Sequence, residues 1–74
     1  MTQYPTSTEY HIGERLKAFR DMAGKTRADL AICLSVEETD IDDYEQGMQA
    51  ISAAQLWDLS ILLDMNIVYF FPKA

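Results

Sequence analysis

The strongest constraint on the fold is a succession of short segments in which apolar residues recur at helical spacing, separated by signals that start or end helices. In the first segment, Ile12, Leu16 and Phe19 fall on one face of a helix. Gly24 follows, and glycine often ends a helix because it readily adopts a left-handed backbone conformation. The pattern therefore predicts a first amphipathic helix that ends near Gly24.

The second segment, TRADLAICLS, has the features of a short helix that begins at Thr26. Threonine is a good N-cap because its hydroxyl can accept a hydrogen bond from an unpaired N–H in the first turn. The helical period places Leu30, Ala31 and Leu34 on the inward side. We therefore expect this face to be part of the core.

The third segment, VEETDIDDYEQG, spans residues 36–47 and combines an inward apolar face with an acidic outward face. Ser35 and Glu38 have the spacing of a capping box at its start. Gly47 ends it in the manner of a glycine just beyond a helix. Residues 37–45 contain six acidic residues and no basic one. The inward members are Val36, Ile41 and Tyr44.

The fourth segment, ISAAQLWDLSILLDM, predicts another helix that starts with a capping box formed by Ser52 and Gln55. Its apolar residues Leu56, Leu59 and Leu63 share one face. The last apolar run, IVYFF, is β-prone in composition, but no second strand exists with which it could pair. A final helical turn ended by Pro72 fits better. The whole chain is therefore predicted to be all-α, with five short helices.

The length of 74 residues allows one small domain, predicted here as residues 8–72 preceded by a flexible polar arm, residues 1–7. Thr6 and Glu9 could form a capping box where the arm meets the first helix. A domain this small is marginally stable without a crosslink, a metal or a partner subunit. Cys33 is the only cysteine and His11 the only histidine, so neither an internal disulfide nor a zinc site is expected. A partner subunit is therefore the remaining source of added stability. The lone cysteine suits a cytoplasmic protein.

The balance of charge argues against general affinity for nucleic acid or for anionic lipid, because the net charge is −6. No apolar run approaches the length needed to span a membrane, and the first residues lack the pattern of a signal peptide. Five of the six basic residues precede residue 28. The charge is therefore unevenly placed along the chain.

From residue 12 to residue 71, the pattern resembles the Cro/phage-repressor-type helix-turn-helix family, often called XRE-like. The matching segments are IGERLKAFR, AGKTRADLA, IDDYEQG and LWDLSILLDM, in the order of the family and without a gap. The resemblance implies a lambda-repressor-like DNA-binding domain fold and a bacterial or phage transcriptional regulator that needs no cofactor. Residues 26–34 would be the positioning helix, and residues 37–45 the recognition helix that enters the major groove. The implied DNA-binding positions are Lys25, Thr26, Arg27, Glu37, Glu38, Thr39, Asp42 and Asp43.

The acidic recognition helix makes ordinary DNA reading doubtful, because phosphates repel carboxylates and Asp and Glu can accept a base-edge hydrogen bond only from cytosine. The favourable effect of acids at a helix N-terminus explains Glu37 and Glu38 but not Asp42 or Asp43. An EF-hand-like metal loop is disfavoured because its glycine and spacing are absent. The alternatives are a module whose acidic helix binds a basic protein surface, and a purely oligomerising domain. Arg20 could either contact DNA phosphates or pair with an internal carboxylate.

Several positions that the family usually makes polar are apolar here, which predicts a homodimer. Monomers seldom expose large apolar patches, and C-terminal helices commonly form the dimer contact in this family. The alternative is that Trp57 and Tyr69 fold over the arm, against Tyr4 and Tyr10. Ile32 and Cys33 form a smaller second patch. The predicted interface consists of Trp57, Ile61, Val68, Tyr69 and Phe71.

Catalytic chemistry is not expected, because Cys33 and His11 are the only nucleophile–base combination and belong to different helices. In an apolar helix, Cys33 would behave as a small hydrophobic residue. No metal or catalytic residues are therefore predicted.

Overall fold

A computed structural model describes residues 7–72, with the side chain of Ser7 left undescribed. Within this range the chain forms four α-helices and one turn of 3-10 helix. None of these helices is long and apolar enough to cross a membrane. The predicted capping residue Thr6, Tyr4 and most of the predicted arm lie outside the described residues. The helices are α1 (Ser7–Met22), α2 (Arg27–Leu34), α3 (Glu38–Glu45) and α4 (Ala53–Leu62), and the 3-10 turn is η1 (Ile67–Phe70).

The prediction of five short helices was therefore wrong by one element. Asn66 caps the last segment by accepting a hydrogen bond from the N–H of Val68 at 3.0 Å. The backbone bonds that follow join residues three positions apart, as in the 3.1 Å bond from Phe71 N–H to Val68 O. Pro72 comes directly after, and proline cannot donate the N–H that a longer helix needs. The segment is consequently a single 3-10 turn.

The predicted N-cap Thr26 and the predicted capping box of Ser52 and Gln55 are confirmed, and Thr26 also forms a capping box with Asp29. Thr26 Oγ1 accepts from the N–H of Asp29 at 3.1 Å, and the Asp29 carboxylate accepts from the N–H of Thr26 at 2.9 Å. Ser52 and Gln55 make the equivalent pair of bonds at the start of α4, at 3.1 and 3.0 Å. These bonds satisfy backbone N–H groups that have no partner within the helix.

The capping box predicted for Ser35 and Glu38 was wrong. Ser35 instead ends α2 in the left-handed conformation, with φ of 57°. Ser35 is therefore the C-cap of α2, and Glu37 is the N-cap of α3. The carboxylate of Asp40 accepts from the N–H of Glu37 at 3.0 Å. The start of α3 is therefore shifted by two residues relative to the predicted cap.

The core lies where one face of each helix meets, and it contains most of the residues that the helical period predicted as inward. Leu16, Leu30, Ile41, Leu59 and Phe70 are fully buried. Leu34 and Val36 are partly buried and pack against this core. The rings of Phe19 and Phe70 meet edge to face, with centroids 5.7 Å apart, which fixes η1 against α1. The remaining buried apolar residues are Ile12, Ala31, Tyr44, Leu56 and Leu63.

Two glycines allow the close packing of α1 against the end of α3. A Cβ atom on Gly13 would lie 2.3 Å from the carbonyl oxygen of Tyr44, too close for any side chain. A Cβ atom on Gly47 would lie 2.8 Å from Cα of Tyr10, and Gly47 has φ of +75°. Gly47 therefore ends α3 as predicted, and it also leaves room for the first turns of α1.

Candidate nucleic-acid interface

Helices α2 and α3 are joined by a tight turn that sets the angle between them. The N–H of Val36 donates to the carbonyl oxygen of Ala31 at 3.0 Å, and the N–H of Ser35 donates to Ile32 O at 3.3 Å. These bonds and the left-handed Ser35 reverse the chain directly after α2. Val36 then packs against the core, and Ile41 is fully buried from α3. The outward side of α3 is thereby presented to solvent.

A buried carboxylate, Glu45, joins the end of α3 to both α1 and α2. Arg20 donates from Nε to Glu45 Oε2 at 2.6 Å and from Nη2 to Glu45 Oε1 at 3.3 Å. A third bond, from Arg20 Nη1, reaches the carbonyl oxygen of Lys25 at 3.2 Å. The hydrogen bond to Glu45 raises the pKa of Arg20, so the guanidinium stays charged. Of the two roles proposed for Arg20, the structure places it in the internal pair.

Arg27, one of the predicted DNA contacts, lies at the first position of α2 and faces carboxylates of α3. Its Nε donates to Glu45 Oε1 at 3.0 Å. Its Nη2 lies 3.8 Å from Asp42 Oδ1, on a side that remains open to solvent. The Arg27 and Asp42 side chains are 40% and 47% exposed, whereas that of Glu45 is only 2% exposed. Arg27 is thus held between one buried and one exposed carboxylate.

The carboxylates of α3 differ in whether another side chain donates a hydrogen bond to them. Asp40 accepts from Gln49 Nε2 at 3.3 Å in addition to its capping bond. Asp42 accepts from Gln46 Nε2 at 2.8 Å, one helical turn later. Glu38 and Asp43 are exposed, and no described residue pairs with either carboxylate. The other outward positions, Glu37 and Thr39, are also exposed.

The other two predicted DNA contacts at the start of α2 also make structural contacts, Thr26 through its side chain and Lys25 through its backbone carbonyl. The hydroxyl of Thr26 is used in the capping box with Asp29. The N–H of Thr26, donating to that carboxylate, lowers the pKa of Asp29. Lys25 is half-buried, and its carbonyl oxygen is occupied by Arg20. Lys25, Thr26 and Arg27 therefore lie together at one end of the helix pair.

Sequence reasoning missed Glu45 as the residue that organises this site. It was counted only among the six acids of residues 37–45. The available signal was its position four residues after Ile41 and one after Tyr44, which places it on the inward face of α3, whereas Asp43 lies outside that face. Gln46 and Gln49 were also missed, although the spacing of Asp42 and Gln46 is typical of a side-chain pair on a helix.

The apolar residues predicted to form a dimer contact lie on α4, on η1 and directly after η1, and each is exposed to solvent. We call this set of residues the C-terminal apolar surface. A groove of about 590 Å³ runs beside Trp57 and Ile61, with Met65 and Ile67 in its lining. Arg15 Nη1 donates to the carbonyl oxygen of Tyr69 at 2.8 Å, which ties η1 to α1. The exposed fractions are 57% for Trp57, 64% for Ile61, 57% for Val68, 58% for Tyr69 and 41% for Phe71.

The alternative cover for this surface, the N-terminal arm, involves residues that the structure only partly describes. Tyr10 is 51% exposed, and Tyr4 lies outside the described residues. The smaller second patch is reduced to Ile32, which is 79% exposed, because Cys33 is partly buried.

Cys33 is partly buried, which affects the chemistry of its thiol. Burial raises the pKa of the Cys33 thiol, which disfavours the reactive thiolate. Its Sγ lies 4.0 Å from the carbonyl oxygen of Asp58, a weak contact. Within residues 8–72, no group of three His, Cys, Asp or Glu side chains could hold a metal ion.

Comparison with known proteins connects this geometry to a family. No family model matches the chain. An uncharacterized transcriptional regulator in the ATPase CF(0) region of Rhodospirillum rubrum is 34% identical over 61 residues, which are 82% of this chain and 56% of that protein. An uncharacterized HTH-type transcriptional regulator of Sinorhizobium medicae strain WSM419 is 29% identical over 70 residues, 95% of this chain and 50% of that protein. The chain thus spans about half the length of the curated relatives it matches.

Solved structures show the same fold. The restriction-modification controller protein C.AhdI from Aeromonas hydrophila superposes with a TM-score of 0.75, at 22% identity, over 84% of this chain and 94% of that one. The DNA-binding domain of BldD superposes with a TM-score of 0.77, at 18% identity, over 97% of this chain and 100% of that one. Taken with the observed α2–turn–α3 unit and the relatives above, these similarities show a helix-turn-helix fold, and the chain resembles domains of the Cro/phage-repressor (XRE-like) type.

Proposed function

We propose that this chain is the helix-turn-helix domain of a transcriptional regulator and that α3 faces DNA in its complex. The observation that carries the proposal is the α2–turn–α3 unit, in which Ser35 sets the turn and Ile41 anchors α3 from the inside. In this arrangement the outward side of α3 is the surface that other members of the fold place in the major groove. The names of the curated relatives support the same regulatory role.

The expected affinity for DNA is low, because exposed carboxylates on α3 oppose it. One pair of like charges about 4 Å apart costs ~1 kcal/mol in water. Glu37, Glu38 and Asp43 would therefore cost about 3 kcal/mol if all approached phosphates. The binding free energy at specific DNA sites exceeds that at non-specific sites by roughly 4–10 kcal/mol. The repulsion therefore weakens specific binding without abolishing it. Cytosine amino groups are the base-edge partners that these carboxylates could accept from.

We also propose that the domain acts as a homodimer through the C-terminal apolar surface. Fully burying one large apolar side chain contributes about 1.5–3 kcal/mol. Burying a few side chains of this surface from each subunit would offset the marginal stability of so small a domain. A two-fold dimer would also present two copies of α3 to half-sites one helical turn of DNA apart.

Titration of a fluorescent mixed-sequence DNA duplex with the purified chain, at several salt concentrations, tests the regulatory proposal. We expect measurable binding at low salt that weakens linearly with the logarithm of salt concentration, as phosphate contacts require. A parallel titration with an arginine-rich peptide tests the alternative of a basic protein partner. Absence of duplex binding at low salt, together with saturable peptide binding, would show that α3 serves a protein partner instead.

A further inference from the structure

We infer that Glu45 positions Arg27 as a phosphate contact and that Asp42 competes with phosphate for it, so that Asp42 limits the affinity for DNA. The inference rests on the proposed function. It concerns two carboxylates of α3 that differ in burial and contact different atoms of the same guanidinium group. The competition is between Asp42 and a phosphate oxygen for the outer edge of Arg27.

The inner side of the Arg27 guanidinium is fixed by Glu45. Nε of Arg27 lies 3.0 Å from Glu45 Oε1, and the carboxylate that receives it is almost completely buried. Arg20 holds the same carboxylate through two further bonds, at 2.6 and 3.3 Å, and so keeps it in place. Glu45 is therefore a rigid support that orients Arg27.

The outer side of Arg27 is partly exposed and faces Asp42. Nη2 of Arg27 lies 3.8 Å from Asp42 Oδ1, and both side chains are close to half exposed. A partly exposed ion pair of this length is weak, and a partner with better geometry can displace it. A phosphate group is such a partner, because the planar guanidinium group can form two parallel hydrogen bonds with two of its oxygens.

Asp42 is the carboxylate of α3 that the structure places against Arg27 while leaving it open to solvent. Gln46 donates to Asp42 Oδ2 at 2.8 Å, which leaves Oδ1 directed at Arg27. Asp43, the next residue, carries the same charge on the same helix, but no described residue pairs with its carboxylate. The pair Asp42 and Asp43 thus offers a test in which the change in net charge is identical.

The test compares Asp42→Asn with Asp43→Asn, each in the wild-type chain and in an Arg27→Gln background. The dissociation constant is measured for the mixed-sequence duplex and for heparin, over a series of salt concentrations. We expect Asp42→Asn to increase affinity roughly two- to fivefold more than Asp43→Asn, the range set by a partly exposed ion pair. The salt dependence should also steepen by about 0.9 in log–log slope, since one more phosphate is contacted. Circular dichroism verifies that all variants are folded.

The Arg27→Gln background distinguishes competition between Asp42 and phosphate for Arg27 from a general effect of removing one negative charge. In the Arg27→Gln background, the two aspartate substitutions should give equal gains. Equal gains in the wild-type background would overturn the inference, and so would an Asp42→Asn excess that persists without Arg27. If no variant binds the duplex, the proposed function fails, and the inference is then decided by the same comparison on heparin.

Discussion

Arg20 and Glu45 form a buried ion pair that joins α1 to the last residue of α3, with Arg20 Nε 2.6 Å from Glu45 Oε2. The side chains are only 9% and 2% exposed. Because Glu45 also accepts from Arg27, one carboxylate connects three helices. The contact fixes where α3 ends relative to α1, and so it sets the position of the outward face of α3.

The first prediction concerns the loss of this carboxylate. Glu45→Ala leaves the buried guanidinium of Arg20 without its partner, and breaking a buried pair costs about 3–5 kcal/mol. We expect a loss of free energy of unfolding in that range, measured by urea denaturation. Asp43→Ala, on the exposed side of the same helix, is the control and should change stability by about 0.5 kcal/mol or less. Similar effects for the two variants would contradict a structural role for Glu45.

The second prediction concerns the close approach of α1 to α3 at Gly13. Helix propensity alone predicts that alanine stabilises a helix interior by about 1 kcal/mol relative to glycine. The added methyl group of Gly13→Ala, however, would lie 2.3 Å from the backbone oxygen of Tyr44. We therefore expect a net destabilisation of about 1–3 kcal/mol by thermal or urea unfolding. Glu14→Ala, at the exposed neighbouring position, is the control. A Gly13→Ala variant more stable than wild type would contradict the close packing of α1 against α3.

The third prediction tests the proposed dimer. Ile61→Arg places a charge on the C-terminal apolar surface and should convert a dimer into a monomer at micromolar concentration. Size-exclusion chromatography with light scattering measures the mass directly. Ile32→Arg is the control, because Ile32 is 79% exposed, more than Ile61 at 64%, and lies outside this surface. It should leave the dimer intact. A monomeric wild-type chain at the same concentration would rule the proposal out.

The fourth prediction concerns pH. The N–H of Thr26 lowers the pKa of Asp29 below its ordinary value of 3.8, because the bond favours the ionised carboxylate. A group whose pKa is lower in the folded state adds stability above its unfolded pKa and loses that contribution as pH falls through the folded value. We expect wild type to be more stable than Asp29→Asn at neutral pH. The difference should shrink as pH falls below about 4. A difference independent of pH in urea unfolding experiments would count against this role for Asp29.

Much of the fold was predictable because its local signals agree with its packing. The helical period of Leu30 and Ile41 placed both in the core, and Thr26 and Ser52 marked the starts of α2 and α4. The start of α3 was harder to predict, because several adjacent residues can cap a helix. There, the left-handed Ser35 decided between Ser35 and Glu37. That choice depends on how α2 ends.

The candidate site was only partly predictable for a related reason. The sequence located the acidic face of α3 and grouped Lys25, Thr26 and Arg27 at the start of α2. It did not show which carboxylate would meet which arginine, since these partners are separated by 15 or more positions in the chain. Such pairs form only when the helices have packed.

By itself, the sequence determined the all-α class, the resemblance to helix-turn-helix domains and the acidic outward face of α3. These properties follow from spacing within single helices, where neighbouring residues alone decide which face is apolar. Tertiary structure decided that Glu45 is buried between Arg20 and Arg27 while Asp43 stays exposed, although both are acidic residues of one helix. The reason is that burial and ion pairing depend on the approach of α1 and α2 to one side of α3.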